Sequence, residues 1–313
     1  MHVLKQFLSL ILLTALVIPQ QLAWSWGAEG HMYVNQVAAL KMPPEMPPFL
    51  RNSAAEITYL GPEPDRWRSP AEFALKNAQE PDHFIDLERV DWLDPLPRGR
   101  YEFYRKLYEK RATAGDRADE YLPERVGLQP YIVMEIYGRL VVAFHQYREL
   151  RKEDKPTAPA ERSAIFYSGW LGHYVADGAQ PLHTTIQYNG WIGPNPNGYA
   201  TEHGIHALFE STYVAKNITT QDFVRFVHPP EHITDPFAQY IEYLKQSNKL
   251  VEKVYSLDKD HGFRGKGTTE AFEFTTRRLA AGSQMLVNLW YSAWLDSASY
   301  TDMPPLSQKP HNP

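Results

Sequence analysis

Apolar positions along most of the chain recur at i, i+3 and i+4 and almost never alternate, so the sequence predicts helices and very few strands. The clearest helical stretches are Pro130–Leu150 (PYIVMEIYGRLVVAFHQYREL), Ala160–Asp177, His203–Ala215, Asp235–Leu257 and Thr268–Asp296. Pro130 suits a first helical turn, and Asp235-Pro236 reads as a cap followed by a first turn. A shorter helix is expected over 31–41, with Val34, Val37 and Ala38 on one side, stopped by Pro43, Pro44, Pro47 and Pro48. Between 52 and 100 the periodicity fails, in segments such as GPEPDRWRSP and EPDHFIDLERVDWLDPLP. Connections this long and this rich in Pro usually line a site. A charged stretch, 101–125, predicts one exposed helix, and 189–200 predicts a Gly/Pro/Asn loop. The aromatic stretch around Trp290, Tyr291 and Trp294 reads as core. The expected architecture is a single all-α domain over 26–300, with 101–160 as an inserted flap and 301–313 as a disordered tail.

The first 25 residues stand apart. Lys5 precedes an apolar run from Phe7 to Ile18 that is short for a bilayer span, and Ala23-Trp24-Ser25 follows as an A-x-S cleavage pattern. This predicts a secretory signal cleaved between Ser25 and Trp26, and a secreted or periplasmic protein; the alternative is an uncleaved N-terminal anchor. The sequon Asn217-Ile218-Thr219 reads as incidental in a bacterial export substrate.

Composition then narrows the chemistry. The 313 residues are 43% hydrophobic and 22% charged, with 18 Gly and 25 Pro, which excludes collagen-like and wholly disordered classes. A net charge of -5 excludes nucleic-acid binding driven by counterion release alone. There is no Cys, so disulfide scaffolds, thiolate zinc sites, iron–sulfur clusters and thiol nucleophiles are all excluded. Against that stand 12 His and 37 Asp plus Glu. Metal or acid–base chemistry must therefore use imidazole and carboxylate.

The histidines are patterned. His173-x3-Asp177 places an imidazole and a carboxylate one helical turn apart, and His183 follows just after Pro181 has ended the helix. His206 and Glu210 repeat the i, i+4 spacing. Each pair alone reads more often as a surface hydrogen bond; two such pairs with His183 in an apolar context make a metal site an equal reading, and zinc is the ion such donors suit. His203, three residues before His206, is a competing ligand. No HExxH, no His-Asp dipeptide and no repeated Glu-x-x-His occurs, which argues against zincins, HD-type phosphohydrolases and di-iron bundles.

Further motifs fall in order along the chain: WGAEGH at 26–31, PDRWR at 64–68, HFID at 83–86, then GHYVADGAQPLH and HALFE. In this order they resemble the zinc-dependent phospholipase C / S1–P1 nuclease superfamily. That resemblance implies a single-domain multi-helical fold with a trinuclear zinc cleft. It implies that Asp65, His83, His173 and Asp177 hold one zinc, and that Asp177 bridges to a second held by His31 and by the freed α-amine and carbonyl of Trp26. It assigns the third zinc to His183, His206 and Glu210. Arg68 matches a position that reaches the phosphate, and Phe84 and Asp86 match positions that stack on a base and bond its edge. By this reading Asp65, Arg68 and Asp177 are the catalytic residues, and a metal-activated hydroxide attacks phosphorus. Plainer alternatives are an Arg68–Glu63 ion pair and a core role for Phe84.

The substrate divides the superfamily. The intervals Trp26–His31 and His173–His206 are similar to the nucleases, whereas Glu210 and the run Phe166-Tyr167-x6-His173-Tyr174 look more like the bacterial phospholipases. The expected function is a secreted nuclease acting on single-stranded DNA or RNA; phospholipase C action on phospholipid is the alternative, and a non-catalytic exported zinc-binding protein a minor one. No stable protein partner is evident, and a monomer is expected.

Overall fold

A computed structural model describes residues 26–300; the signal segment and the tail lie outside the described residues. Fifteen α-helices are described: α1 (Gly27–Leu40), α2 (Pro48–Asn52), α3 (Ala54–Leu60), α4 (Glu63–Arg66), α5 (Phe73–Gln79), α6 (Arg100–Arg111), α7 (Pro123–Val126) and α8 (Gln129–Lys152), then α9 (Ala158–Ala179), α10 (Ile205–Ala207), α11 (Val214–Asn217), α12 (Thr220–Phe223), α13 (Pro236–Asn248), α14 (Val251–Lys259) and α15 (Thr269–Asp296). Short 3-10 turns join many of them, and a π-helical stretch, Leu208–Tyr213, fuses α10 to α11. Among the described residues there is no strand, only the isolated bridges Ile85–Gly127 and Tyr188–Gly190. The all-α expectation holds. No helix among them is long and apolar enough to cross a membrane.

The centre of the molecule is α9. Its residues are small or apolar on nearly every side, and from Leu171 to Ala179 all are buried, the signature of a helix enclosed by others. It packs along α8, α15, α3 and α1, and α15 also lies against α1 and α8. Trp290 of α15 is fully buried and donates its indole N–H to the Ser168 carbonyl at 3.2 Å. Residues 129–152 thus belong to the core, not to a flap: α8 buries Ile132, Val133, Ile136, Leu140 and Phe144. Only the preceding part of 101–160 reaches the cleft, through Glu124 and Arg125.

Close approach to α9 depends on glycine. Asn35 of α1 is fully buried and donates to the carbonyls of Ile57 (2.8 Å) and Gly169 (3.1 Å), tying three helices together. A Cβ on Gly172 would stand 1.8 Å from Asn35 Oδ1, which cannot be accommodated without moving the helices apart. Gly172→Ala is therefore expected to destabilise the protein by about 1–3 kcal/mol, read by thermal or urea unfolding. A variant as stable as the parent would show that α1 and α9 are free to separate.

One expected helix is broken. The segment 235–257 forms α13 and α14, because Ser247 and Asn248 turn inward: Ser247 Oγ donates to the Gly178 carbonyl at 2.6 Å and Asn248 Nδ2 to that of Thr184 at 2.8 Å. Tertiary bonds to the end of α9 outweigh continuous helical periodicity. The capping signal at its start is real: Asp235 Oδ1 accepts from the Ala238 N–H at 3.1 Å.

Candidate metal centre

Five segments bring the patterned residues to one end of α9. The helix carries His173 and Asp177 a turn apart, both fully buried. It ends where Gln180 turns extended before Pro181, and the following 3-10 turn, Pro181–Thr184, presents His183. His31 comes from α1, Asp65 from α4, and His83 from the 3-10 turn Glu80–His83. His206 and Glu210 come from the fused helix after the 189–200 loop, with Glu210 inside its π-helical stretch. The irregular segment 52–100 does line the site, through short helices and turns.

Three groups of ligand atoms result, each within 4.8 Å of one another: His31, His173 and Asp177; Asp65, His83 and His173; His183, His206 and Glu210. Asp177 faces two of them. Its Oδ1 is 3.4 Å from His31 Nε2, while its Oδ2 is 3.1 Å from His83 Nδ1 and 3.5 Å from His173 Nε2. In the third group Glu210 Oε2 lies 3.0 Å from His206 Nε2 and 3.4 Å from His183 Nε2.

The orientation of the rings is the decisive feature. His173 donates Nδ1–H to the Gly61 carbonyl at 2.9 Å, His183 to that of His83 at 2.7 Å and His206 to that of Tyr188 at 2.9 Å. Each bond makes Nδ1 the donor and turns Nε2 into the cluster, as metal-binding imidazoles require. The His83 carbonyl also accepts from Gln129 Nε2 at 2.9 Å, so it is firmly held. Gln180, fully buried, steadies Glu210 by donating Nε2–H to Oε2 at 3.0 Å.

Burial sets the charges. It drives the Asp177 carboxyl far above its usual range, with help from Asp65 and Glu210, and lifts Asp65 to about 7 despite Arg68. It also pushes His83 and His173 well below the imidazole range, aided by neighbouring cations. The third group behaves differently. Burial would lift Glu210, but His206 and His183 hold it low, and Glu210 in turn raises His206 above its ordinary value. Asp65 Oδ2, Asp177 Oδ1, His83 Nε2 and Glu210 Oε1 are buried without a hydrogen-bond partner. Such atoms are costly unless a bound ion satisfies them. The nitrogen-and-oxygen donor set fits zinc.

No protein-family model and no curated protein matches the chain. Solved structures do match. The alpha toxin of Clostridium absonum is 14% identical, with a TM-score of 0.41, over 90% of this chain and 68% of that one. The alpha-toxin of Clostridium perfringens from the avian strain SWCP is 14% identical, with a TM-score of 0.40, over 89% and 67%.

Above the groups opens a cleft of about 900 Å³, walled by Arg68, Phe84, Asp86, Arg89, Tyr188 and Asn189 among others. Arg68 pairs with Asp65 Oδ1 at 3.3 Å and with Glu80 Oε1 at 3.4 Å. The expected alternative partner, Glu63, is taken by Arg66. His206 joins the third group, whereas His203 is exposed. Phe84 is half-buried in the cleft wall and so is not a core aromatic. Asp86 lines the cleft as well; it is buried, and its Oδ2 accepts from Arg89 Nε at 3.0 Å. Trp26 is fully buried at the head of α1, its indole N–H donating to the Ala176 carbonyl at 2.6 Å.

Sequence reasoning missed the supporting residues Gln180, Gln129, Gly61 and Tyr188. Backbone carbonyls carry no residue-type signal, and Gln180 has no spacing that marks it. Arg89 was accessible, since it stands at i+3 from Asp86.

Proposed function

We propose that the chain is an exported, zinc-dependent phosphodiester hydrolase of the phospholipase C type. What carries this reading is the set of three imidazoles whose Nδ1–H groups are fixed on backbone carbonyls while their Nε2 atoms converge on buried carboxylates. Asp65, His83, His173 and Asp177 would hold one zinc; Asp177 and His31 a second; His183, His206 and Glu210 the third. Cleavage before Trp26 would free an α-amine at the buried head of α1, a donor for the second. Zinc bound there would acidify water and neutralise charge on a phosphoryl oxygen.

The chain's own residues bind and orient. Arg68 presents its guanidinium to the cleft from between Asp65 and Glu80, placed to take a phosphoryl oxygen. Asp65 Oδ2 is available to accept the proton of the attacking water. Water adds to phosphorus, the bond to the alcohol oxygen breaks, and that oxygen leaves with a proton. The products are an alcohol and a phosphomonoester.

Phospholipid is placed first because Glu210 matches the bacterial phospholipases. A nuclease reading is favoured by the half-buried Phe84 ring and the exposed Tyr188 ring in the cleft wall, both able to stack on bases. The mature, zinc-loaded protein is expected to convert phosphatidylcholine to diacylglycerol and phosphocholine. Cleavage of single-stranded DNA or RNA alone would select the second reading. Bound zinc with no phosphodiester turnover would leave a zinc-binding protein and overturn both.

A further inference from the structure

We propose that the two lips of the cleft form a docking surface for a zwitterionic phospholipid bilayer, an inference that rests on the phospholipid reading. Among the described residues, five large exposed side chains carry no polar atom: Leu40, Phe73, Leu75, Phe166 and Ile192. Three of the five stand on the two segments that wall the cleft. On one side, α5 contributes Asn77 to the cleft, and Phe73 lies one helical turn before it on the same face. Phe73 is 70% exposed; Leu75, two positions on, lies on the other flank of α5. On the other side Tyr188 lines the cleft at 54% exposure, and Ile192 follows in the same loop at 51%.

The second lip is built to hold its apolar residue out. The Ile192 N–H donates to Gln187 Oε1 at 2.6 Å, and Gln187 Nε2 donates back to the Ile192 carbonyl at 3.0 Å, closing a turn. The Gln187 carbonyl accepts from Tyr255 Oη at 2.6 Å, and the Trp191 N–H donates to the Ala200 carbonyl at 2.9 Å. A backbone so fully bonded presents Ile192 to solvent by construction. An isoleucine and a phenylalanine on opposite sides of a phosphodiester site suit insertion among acyl chains, with the head group entering between them. The net charge of -5 offers no general attraction to an anionic surface, so the lipid surface committed to is zwitterionic.

The test is sedimentation of the metal-loaded protein with phosphatidylcholine vesicles. Phe73→Ser and Ile192→Ser should each lower the partition coefficient about tenfold, whereas Leu40→Ser, exposed but outside both segments, should not. Hydrolysis of monomeric dihexanoylphosphatidylcholine should be unchanged in the lip variants, while hydrolysis of vesicles falls with binding. Partitioning of both lip variants within about twofold of the parent would overturn the proposal. So would equal loss of binding to a single-stranded oligonucleotide, which would make the lips a stacking surface. If neither monomers nor vesicles are hydrolysed, the phospholipid reading fails, and the partition ratios still decide the lips.

Discussion

If the chain holds the three zinc ions proposed above, replacing Asp177 with asparagine is expected to lower phosphodiester hydrolysis by at least about a thousandfold and to reduce bound zinc from three ions per chain to one. The reason is its position between two ligand groups, one oxygen towards His31 and the other towards His83 and His173. A carboxamide has one acceptor oxygen, no charge, and an NH2 that must face one of the two groups. The third group has its own carboxylate and should keep its ion. Loss through misfolding is separable from loss of ligation. The metal-free variant should melt at or above the temperature of the metal-free parent, because asparagine removes a carboxylate that burial already disfavours. Zinc analysis after dialysis, steady-state rates and thermal melts check the three parts. Three retained ions with near-parental turnover would refute the shared position.

Removing metal from the parent is expected to lower Tm by about 15 °C or more. An ion at about a hundred times its Kd adds about 2.7 kcal/mol, so three add about 8 kcal/mol, and each kcal/mol moves Tm by about 2–4 °C at this size. A pH dependence should appear with it. Above pH ~6.5 the unfolded chain has neutral histidines and ionised aspartates. The folded, metal-free chain still holds protons there, because burial lifts Asp65, Asp82 and Asp86 to about 7 and Asp177 further. The folded state therefore binds more protons, and stability must fall as pH rises from about 6.5 to 8. Zinc bound as proposed would take the place of protons on Asp65 and Asp177, so the fall should be shallower in the loaded protein. Denaturant titrations at several pH values, with zinc and with chelator, measure both slopes. Equal slopes would mean that those two carboxylates bind no cation.

Much of the molecule was legible in advance. Residues 160–177 were expected as helix and α9 spans Ala158–Ala179, so the one-turn spacing of His173 and Asp177 translated directly into a shared face. Pro181 marked the helix end that delivers His183. What stayed hidden depends on distant parts of the chain. The break between α13 and α14 comes from Ser247 and Asn248 bonding to the end of α9. The π-helical stretch under Glu210 left no mark in periodicity. Asp86 matched a motif, but its bond to Arg89 appears only in the fold. Residue type and spacing report potential ligands; the bonds that orient or occupy them arise from tertiary packing.

His83 belongs to two groups at once. Its ring stands with Asp65 and His173, while its carbonyl orients the ring of His183. Because Gln129 also holds that carbonyl, the acceptor that aims His183 stays in place whether or not the neighbouring groups are filled. The third group should then load independently, so that falling zinc empties the centre in stages.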